Sequence, residues 1–208
     1  SAVTSAVYQT PVTLSPSRIS NFRTCPLQFR FASIEKLPQP PQIHLVKGNF
    51  VHRVLELLLG HEPEHRTVEA ARKAFDETRA EYEPSARFTA LDLSPDASEA
   101  FFKDSRELVN GYYRMENPRN AKIIGLELRI DSDFGKFKLG GIIDRLEYNE
   151  KNELVVSDYK TGKVPDARFG ANKMDNMHIY ASLCLRERGE LPKRLRLMYL
   201  KSSTPIEV

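Results

Sequence analysis

Long apolar runs, cysteines and a leader pattern are what this 208-residue sequence lacks. No stretch approaches the roughly 20 consecutive apolar residues needed to span a bilayer, so no membrane segment is expected. Its two cysteines, Cys25 and Cys184, cannot build a disulfide framework. That suits a reducing compartment, and a cytoplasmic location is expected. Residues 1–16 carry neither a basic n-region nor an apolar h-region, so they do not read as a secretory leader. Internal repeats and low-complexity segments are missing too. What is present is an ordinary globular composition, 40% hydrophobic and 28% charged, in a chain long enough to bury a sizeable core.

The net charge of +3 is unevenly divided. Residues 1–60 carry six Lys or Arg against two acids, residues 61–120 nine against thirteen, and residues 121–208 sixteen against thirteen. Within residues 162–201 the balance is nine to four. An acidic middle thus masks two basic ends, to which a phosphate-rich partner would be drawn by counterion release. Charge alone fits a set of solvated helix faces equally well.

Hydrophobic periodicity divides the chain. Ser15-Pro16-Ser17 is an N-cap signal for a helix to about Phe31, with Pro26 as a break or a second start. Three prolines within residues 37–41 impose a connector. Helices are expected over 47–59, stopped by Gly60, over 67–82 and over 95–115, with a loop at 83–94. After Ala121 the period shortens to two. A strand over 122–130 places Ile124, Leu126, Leu128 and Ile130 on one side, with Glu127, Arg129 and Asp131 on the other. Asp133-Phe134-Gly135-Lys136 reads as a turn into a strand over 137–148, and residues 149–152 turn into another over 154–160. A helix over 171–188 and a strand over 195–200 follow; the parent chain has room to continue beyond them. This order gives an α/β domain whose mixed sheet is flanked by helices.

The residues able to do chemistry collect on those strands. Asp158 and Lys160 are two apart at the end of the run Leu154-Val155-Val156, so both point to one face. Asp144 lies inside the preceding apolar strand, in Gly141-Ile142-Ile143-Asp144-Arg145. An acid on one strand and Asp-x-Lys on the next can hold a divalent cation beside a phosphate. The carboxylates bind the ion, which helps make a hydroxide nucleophile, and the lysine meets developing negative charge. Internal salt bridges to Lys160 are the plainer reading. On the helix over 47–59, His52 and Glu56 are four apart and share a face. Either they satisfy each other at a helix rim, or they join the strand acids around a metal. Thr161-Gly162-Lys163 is no P-loop, because Ser157 stands where the first glycine is required and Val164 follows the lysine. No Cys/His spacing suggests zinc.

Together these segments resemble the RecB-type branch of the PD-(D/E)xK nuclease superfamily. The resemblance is carried by Leu14-Ser15-Pro16-Ser17 with Phe22 and Cys25-Pro26, by Gly48 with His52 and Glu56, by Gly141 to Arg145, by Asp158 to Gly162, and by Tyr180-Ala181. It implies a restriction-endonuclease-like core with an added helical amino-terminal region. Residues 1–208 would form one domain, helical over about 15–118, with the sheet-containing core over about 119–208 joined by the helix 47–60. By the same resemblance His52, Asp144 and Asp158 ligate Mg2+ or Mn2+ together with the Tyr159 carbonyl. Lys160 positions the hydroxide or stabilises the pentavalent transition state, and Glu56 orients or assists the metal site.

Two departures from the family stand out. Its helix glutamine, four residues before the tyrosine, is Asn176 here. The cysteines that some relatives use for an iron–sulfur cluster are missing, so no cluster is expected within this chain and Cys25 is expected to be a small buried hydrophobe. The implied activity is a metal-dependent deoxyribonuclease, an exonuclease in DNA repair or recombination acting on single- or double-stranded ends, alone or beside a helicase subunit. Arg18, Arg23, Arg30, Arg168, Lys173 and Arg186, with Arg188, Lys193, Arg194 and Arg196, are candidates for sequence-independent phosphate contacts. Asn176 and Tyr180 are candidates for contact near the scissile group. The alternative is a non-catalytic DNA-binding or scaffold module that kept the fold. It requires a broken catalytic position, and His52, Asp144, Asp158 and Lys160 are all intact.

Overall fold

Ser15, Thr67 and Ser94 each cap a helix, their side-chain oxygens accepting from the backbone N–H of Arg18, Ala70 and Ala97. Each cap satisfies a donor that the first helical turn leaves unpaired. In the computed structural model, residues 13–208 are described, residues 167–172 by their backbone only. The helices are α1 (Pro16–Thr24), α2 (Pro26–Phe29, prolonged by a π-helical turn Arg30–Ile34), α3 (Ile43–Leu59), α4 (Val68–Tyr82), α5 (Ala86–Thr89), α6 (Pro95–Met115) and α7 (Ala167–Arg188). The strands are β1 (Thr13–Leu14), β2 (Lys122–Asp133), β3 (Lys138–Tyr148), β4 (Leu154–Lys160), β5 (Arg194–Tyr199) and β6 (Thr204–Glu207). α3 and α7 each begin four residues before their sequence-predicted starts, and α5 occupies part of the expected loop. The short strands β1 and β6 carry too few residues to show a period.

β3 is the axis of the mixed sheet. β2 pairs antiparallel along one edge, from Lys122↔Tyr148 to Asp133↔Lys138. The other edge is shared: β1 pairs at Lys138 and Leu139, and β4 from Arg145↔Ser157 to Tyr148↔Leu154. Between these two partners no strand among the described residues pairs with that edge of β3. β4 then runs parallel to β5, and β5 antiparallel to β6.

Helices cover both faces, as the sequence order requires. α3, α4 and α6 pack on one, with Phe50 at their centre; its ring meets Phe75, Tyr82, Phe101 and Phe102 edge-on at 5.1–5.9 Å. Tyr159 and Met198 join this cluster from the sheet. α7 covers the other face, where Met177, Ala181 and Cys184 pack with Leu154, Val156, Leu195 and Leu197. Burial pushes the Cys184 thiol up to about 11. Cys25 departs from expectation: it is only partly buried, because it sits at the junction between α1 and α2.

β2 also departs from simple alternation. A bulge between Ile123 and Gly125 inserts one extra residue, and Glu127 adopts a left-handed backbone with φ 44°. Leu126 consequently packs with the α3 cluster, while Ile124, Leu128 and Ile130 pack with the α7 cluster. The bulge turns Leu126 to the face opposite Ile124, and the left-handed residue Glu127 turns Leu128 and Ile130 back again.

One charge is fully enclosed between the layers. The Arg145 side chain has 0% exposure, and its guanidinium meets both Glu116 carboxylate oxygens, Glu147 (2.9 Å) and the Tyr159 hydroxyl (3.2 Å). Arg196 shares Glu116 and Glu147, while Arg194 pairs with Glu207. Of those two arginines, candidates for phosphate contact by sequence, Arg196 is committed to buried acids and Arg194 to an ion pair at the surface. Burial alone would raise the Glu116 carboxyl, but Arg145 and then Arg196 outweigh it and hold the group at about 2. A carboxyl depressed in the fold stabilises above its unfolded value near 4.3 and ceases to do so as pH falls toward 2. Glu116→Gln should cost about 3 kcal/mol at neutral pH, because it also strands part of a buried guanidinium. Thermal unfolding of both proteins between pH 7 and pH 2.5 should show this deficit shrinking below about pH 5; a deficit independent of pH would refute the assignment.

Candidate active site

The β3–β4 ladder ends at Arg145↔Ser157, so Asp144 and Asp158 are the first residues past the last pair. From there β4 follows β5 alone, to Lys160↔Tyr199. The separated strands leave the Tyr159 N–H without a backbone acceptor on β3. The Asp144 carboxylate takes it instead, at 2.8 Å. Asp158 and Lys160 share the α7 face of β4 with Leu154 and Val156, as alternation demands. Lys160 forms an ion pair with Asp158.

α3 brings His52 against this divergence. Its Nε2 lies 3.0 Å from the Tyr159 carbonyl, which can only accept, so Nε2 carries a proton. The other ring nitrogen, Nδ1, is thereby aimed at acids: 3.6 Å from Asp144 and 3.7 Å from Glu127. His52, Glu127 and Asp144 each offer a ligand atom, all within 4.8 Å of one another. Glu127 went unrecognised in the sequence, where alternation placed it with Arg129 and Asp131, opposite the apolar side of the strand. Equal steps back from the turn pair Asp133↔Lys138 set it opposite Asp144, and its left-handed backbone sits at that position.

The electrostatics describe acids forced together. Asp144 is pushed up to about 7, by burial first and then by Asp158, against the pull of His52. Burial would lower His52, yet Glu127, Asp144 and Asp158 together raise it to about 9. Lys160 is raised as well, the attraction of Asp158 overcoming its desolvation. A set of one imidazole and several carboxylates, short of positive charge, fits an Mg2+- or Mn2+-like ion. PD-(D/E)XK nucleases use divalent metals of this kind.

Of the other residues singled out by sequence, some gather here and some do not. Tyr180 of α7 comes close enough to Gly141 that a Cβ there would lie 2.9 Å from its ring, so only glycine fits. Burial, with Asp158 and Asp144 nearby, raises the Tyr180 phenol. Lys173 senses Lys160, which together with its own desolvation lowers it. Asn176 is partly buried on the same helix. Glu56 pairs with Arg53 at 2.8 Å rather than with His52, so the simple His–Glu pair does not form. Arg23 pairs with Asp175 and Arg30 with Glu35, both at the surface. Arg186 donates to the Asp133 carbonyl at 2.8 Å. The side chain of Arg168 lies outside the described residues. A groove of about 500 Å3 runs beside the site, lined by Ser15, Arg18, Arg129, Gly140, Ile142 and Tyr180.

A cation entering this cluster must displace protons, since at neutral pH His52 near 9 is protonated and Asp144 near 7 is partly so. Mn2+ affinity should therefore climb from pH 6 to pH 9, by up to about tenfold per unit for each proton released. Calorimetric titration in buffers of different ionisation enthalpy checks the proton count. Asp144→Asn should abolish the binding, and pH-independent affinity would contradict the coupling.

No curated protein matches the chain. It bears a distant likeness, at 16% identity and a TM-score of 0.37, to a solved structure described as "Crystal structure of SSO0001", covering 79% of this chain and 74% of that one. Among the described residues no helix is long and apolar enough to cross a membrane. The PD-(D/E)XK nuclease superfamily matches residues 13–207, a span that includes all six strands and every member of the acidic cluster. The mixed sheet between helical layers agrees with the restriction-endonuclease-like fold of that group. By this match the chain belongs to the PD-(D/E)XK nuclease superfamily, whose members are phosphodiester hydrolases.

Proposed function

We propose that this chain is a divalent-metal-dependent deoxyribonuclease of the RecB-type branch, an exonuclease in DNA repair or recombination, with residues 1–208 acting as one nuclease domain. The observation that carries the reading is the meeting of His52, Glu127, Asp144, Asp158 and Lys160 where β3 and β4 part. His52, Glu127 and Asp144 would hold the ion, Mn2+ or Mg2+, with Asp158 beside them. When bound, it supplies Lewis acidity toward the phosphate and lowers the pKa of water.

The rest of the chemistry belongs to the chain. Asp158 keeps the Lys160 ammonium charged and fixed, so that it faces the negative charge gathering on the phosphoryl oxygens. The Tyr159 peptide holds two groups in place, its N–H fixing Asp144 and its carbonyl fixing His52. This is the orienting arrangement that metal-ligating histidines usually need. Tyr180 closes the groove beside Gly141 and so limits how a strand can pass over β3. Lys173 and Arg18 offer charge to the phosphates on either side.

The test is degradation of end-labelled linear and closed circular DNA with Mn2+, Mg2+ or chelator. Lys160→Ala should reduce cleavage at least about 1,000-fold while leaving DNA affinity within about twofold, as expected when charge stabilisation in the transition state is removed. Sparing of the circle would mark an exonuclease. Absence of cleavage by folded wild-type protein in either metal would favour the binding-module reading.

A further inference from the structure

The β2–β3 hairpin carries aromatic surface that the fold does not use. Phe134 and Phe137 lie near-parallel at its tip, ring centroids 5.2 Å apart and planes 6° from each other. They are 40% and 38% exposed, and neither belongs to either hydrophobic cluster. The tip is held firmly. The Phe134 N–H donates to the Phe137 carbonyl at 2.9 Å, the Gly135 N–H donates to Asp133 at 2.7 Å, and Gly135 has φ 80°, a conformation glycine adopts freely. Arg186 braces it from α7, its guanidinium 4.3 Å over the Phe134 ring while it donates to the Asp133 carbonyl. Two large apolar rings in water, in a fixed stacked pose, invite a third flat ring.

The surroundings specify what that ring belongs to. Lys136 lies between the two phenylalanines in the chain and Lys138 follows them; both are exposed and make no ion pair among the described residues. β3 leads directly from this tip to Asp144, six residues on from Lys138 and roughly 20 Å away at about 3.3 Å per residue. The groove at Arg129, Gly140 and Tyr180 lies along that path. Arg186 stands on the same helix as Tyr180, so the platform is continuous with the α7 side of the site. Cations beside an aromatic stack are what single-stranded nucleic acid binds, phosphates to the cations and bases to the rings.

We infer that the β2–β3 tip is a stacking platform for an unpaired base of the strand whose phosphate is cleaved at Asp144 and Asp158. Lys136 and Lys138 take the adjoining phosphates. This rests on the nuclease reading and narrows it to a single-stranded segment in the cleaved strand. It also gives Arg186 a bracing role behind the rings rather than a direct contact with phosphate.

The experiment uses the full chain in chelator, so that nothing is cut, and a single-stranded oligonucleotide of about 20 thymidines carrying 2-aminopurine. Phe134→Ala/Phe137→Ala should weaken binding about tenfold or more and remove the quenching of 2-aminopurine that stacking produces. Blunt duplex should lose less than about twofold. Phe134→Leu/Phe137→Leu keeps the apolar bulk, guards against misfolding, and should show the same loss of quenching. With metal restored, KM for the long strand should rise while turnover of a trinucleotide, too short to reach the tip, stays unchanged. Unaltered affinity and quenching in both double variants would overturn the platform, whether or not the wild type cleaves. Loss of quenching with a wild type that cuts nothing would retain the platform and sink the nuclease reading. Sedimentation showing a dimer that the variants dissociate would assign the rings to a second copy of the chain and overturn the proposal.

Discussion

A guanidinium with no exposed surface constrains most of this architecture. Removing such a charge from water costs several kcal/mol unless it is met by well-placed partners. Arg145 is met by Glu116 from α6, Glu147 from its own strand and the Tyr159 hydroxyl from β4. Arg196 of β5 balances the same acids and reaches Glu207 of β6. One need for neutralisation therefore joins α6 to four strands and permits little slippage between them. Tyr159 is where this need touches the chemistry: its hydroxyl faces the buried arginine while its peptide holds Asp144 and His52.

The two sides of Tyr159 differ in their charge balance. Below it, two arginines meet two glutamates. Around its backbone, three acids, Asp144, Asp158 and Glu127, face His52 and Lys160, and the raised Asp144 carboxyl records the crowding. The left-handed conformation of Glu127 adds local strain of about 1–3 kcal/mol, which persists only where the surroundings enforce it. Compensation in one layer and its deliberate lack in the next are consistent with a frame that is stable on its own and a site that calls for a cation.

Much of this was legible in the residues. Helices α4 and α6 and strand β4 lie where their caps and periods put them, because each has an unambiguous start signal or a continuous apolar run. The pairing of Asp158 with Lys160 on one face followed from period two alone. What escaped was non-periodic. The bulge near Ile124 and the positive φ of Glu127 cannot be read from a hydropathy pattern, so a cluster member was grouped with Arg129 and Asp131. The turn at 133–136 held the missing information, since register counted from it brings Glu127 opposite Asp144. Arg194 and Arg196 looked like phosphate ligands because a charge count cannot see that β6 brings Glu207 beside Arg194 and that the end of α6 brings Glu116 beside Arg196. Likewise the partner of Arg186, the Asp133 carbonyl, depends on a contact that no local window contains.

The placement of His52 on α3 has a dynamic consequence. Phe50, Val51, Val54, Leu55 and Leu58 around it are all 0% exposed, so the imidazole stands on a deeply buried helix. Segments of that kind open only when the whole structure does, whereas short edge strands fray on their own. The histidine corner of the site thus sits at the slow end of the exchange hierarchy, and the short edge strands β1 and β6 at the fast end. Breathing motions can admit and release a strand at the periphery while the reactive corner keeps its shape.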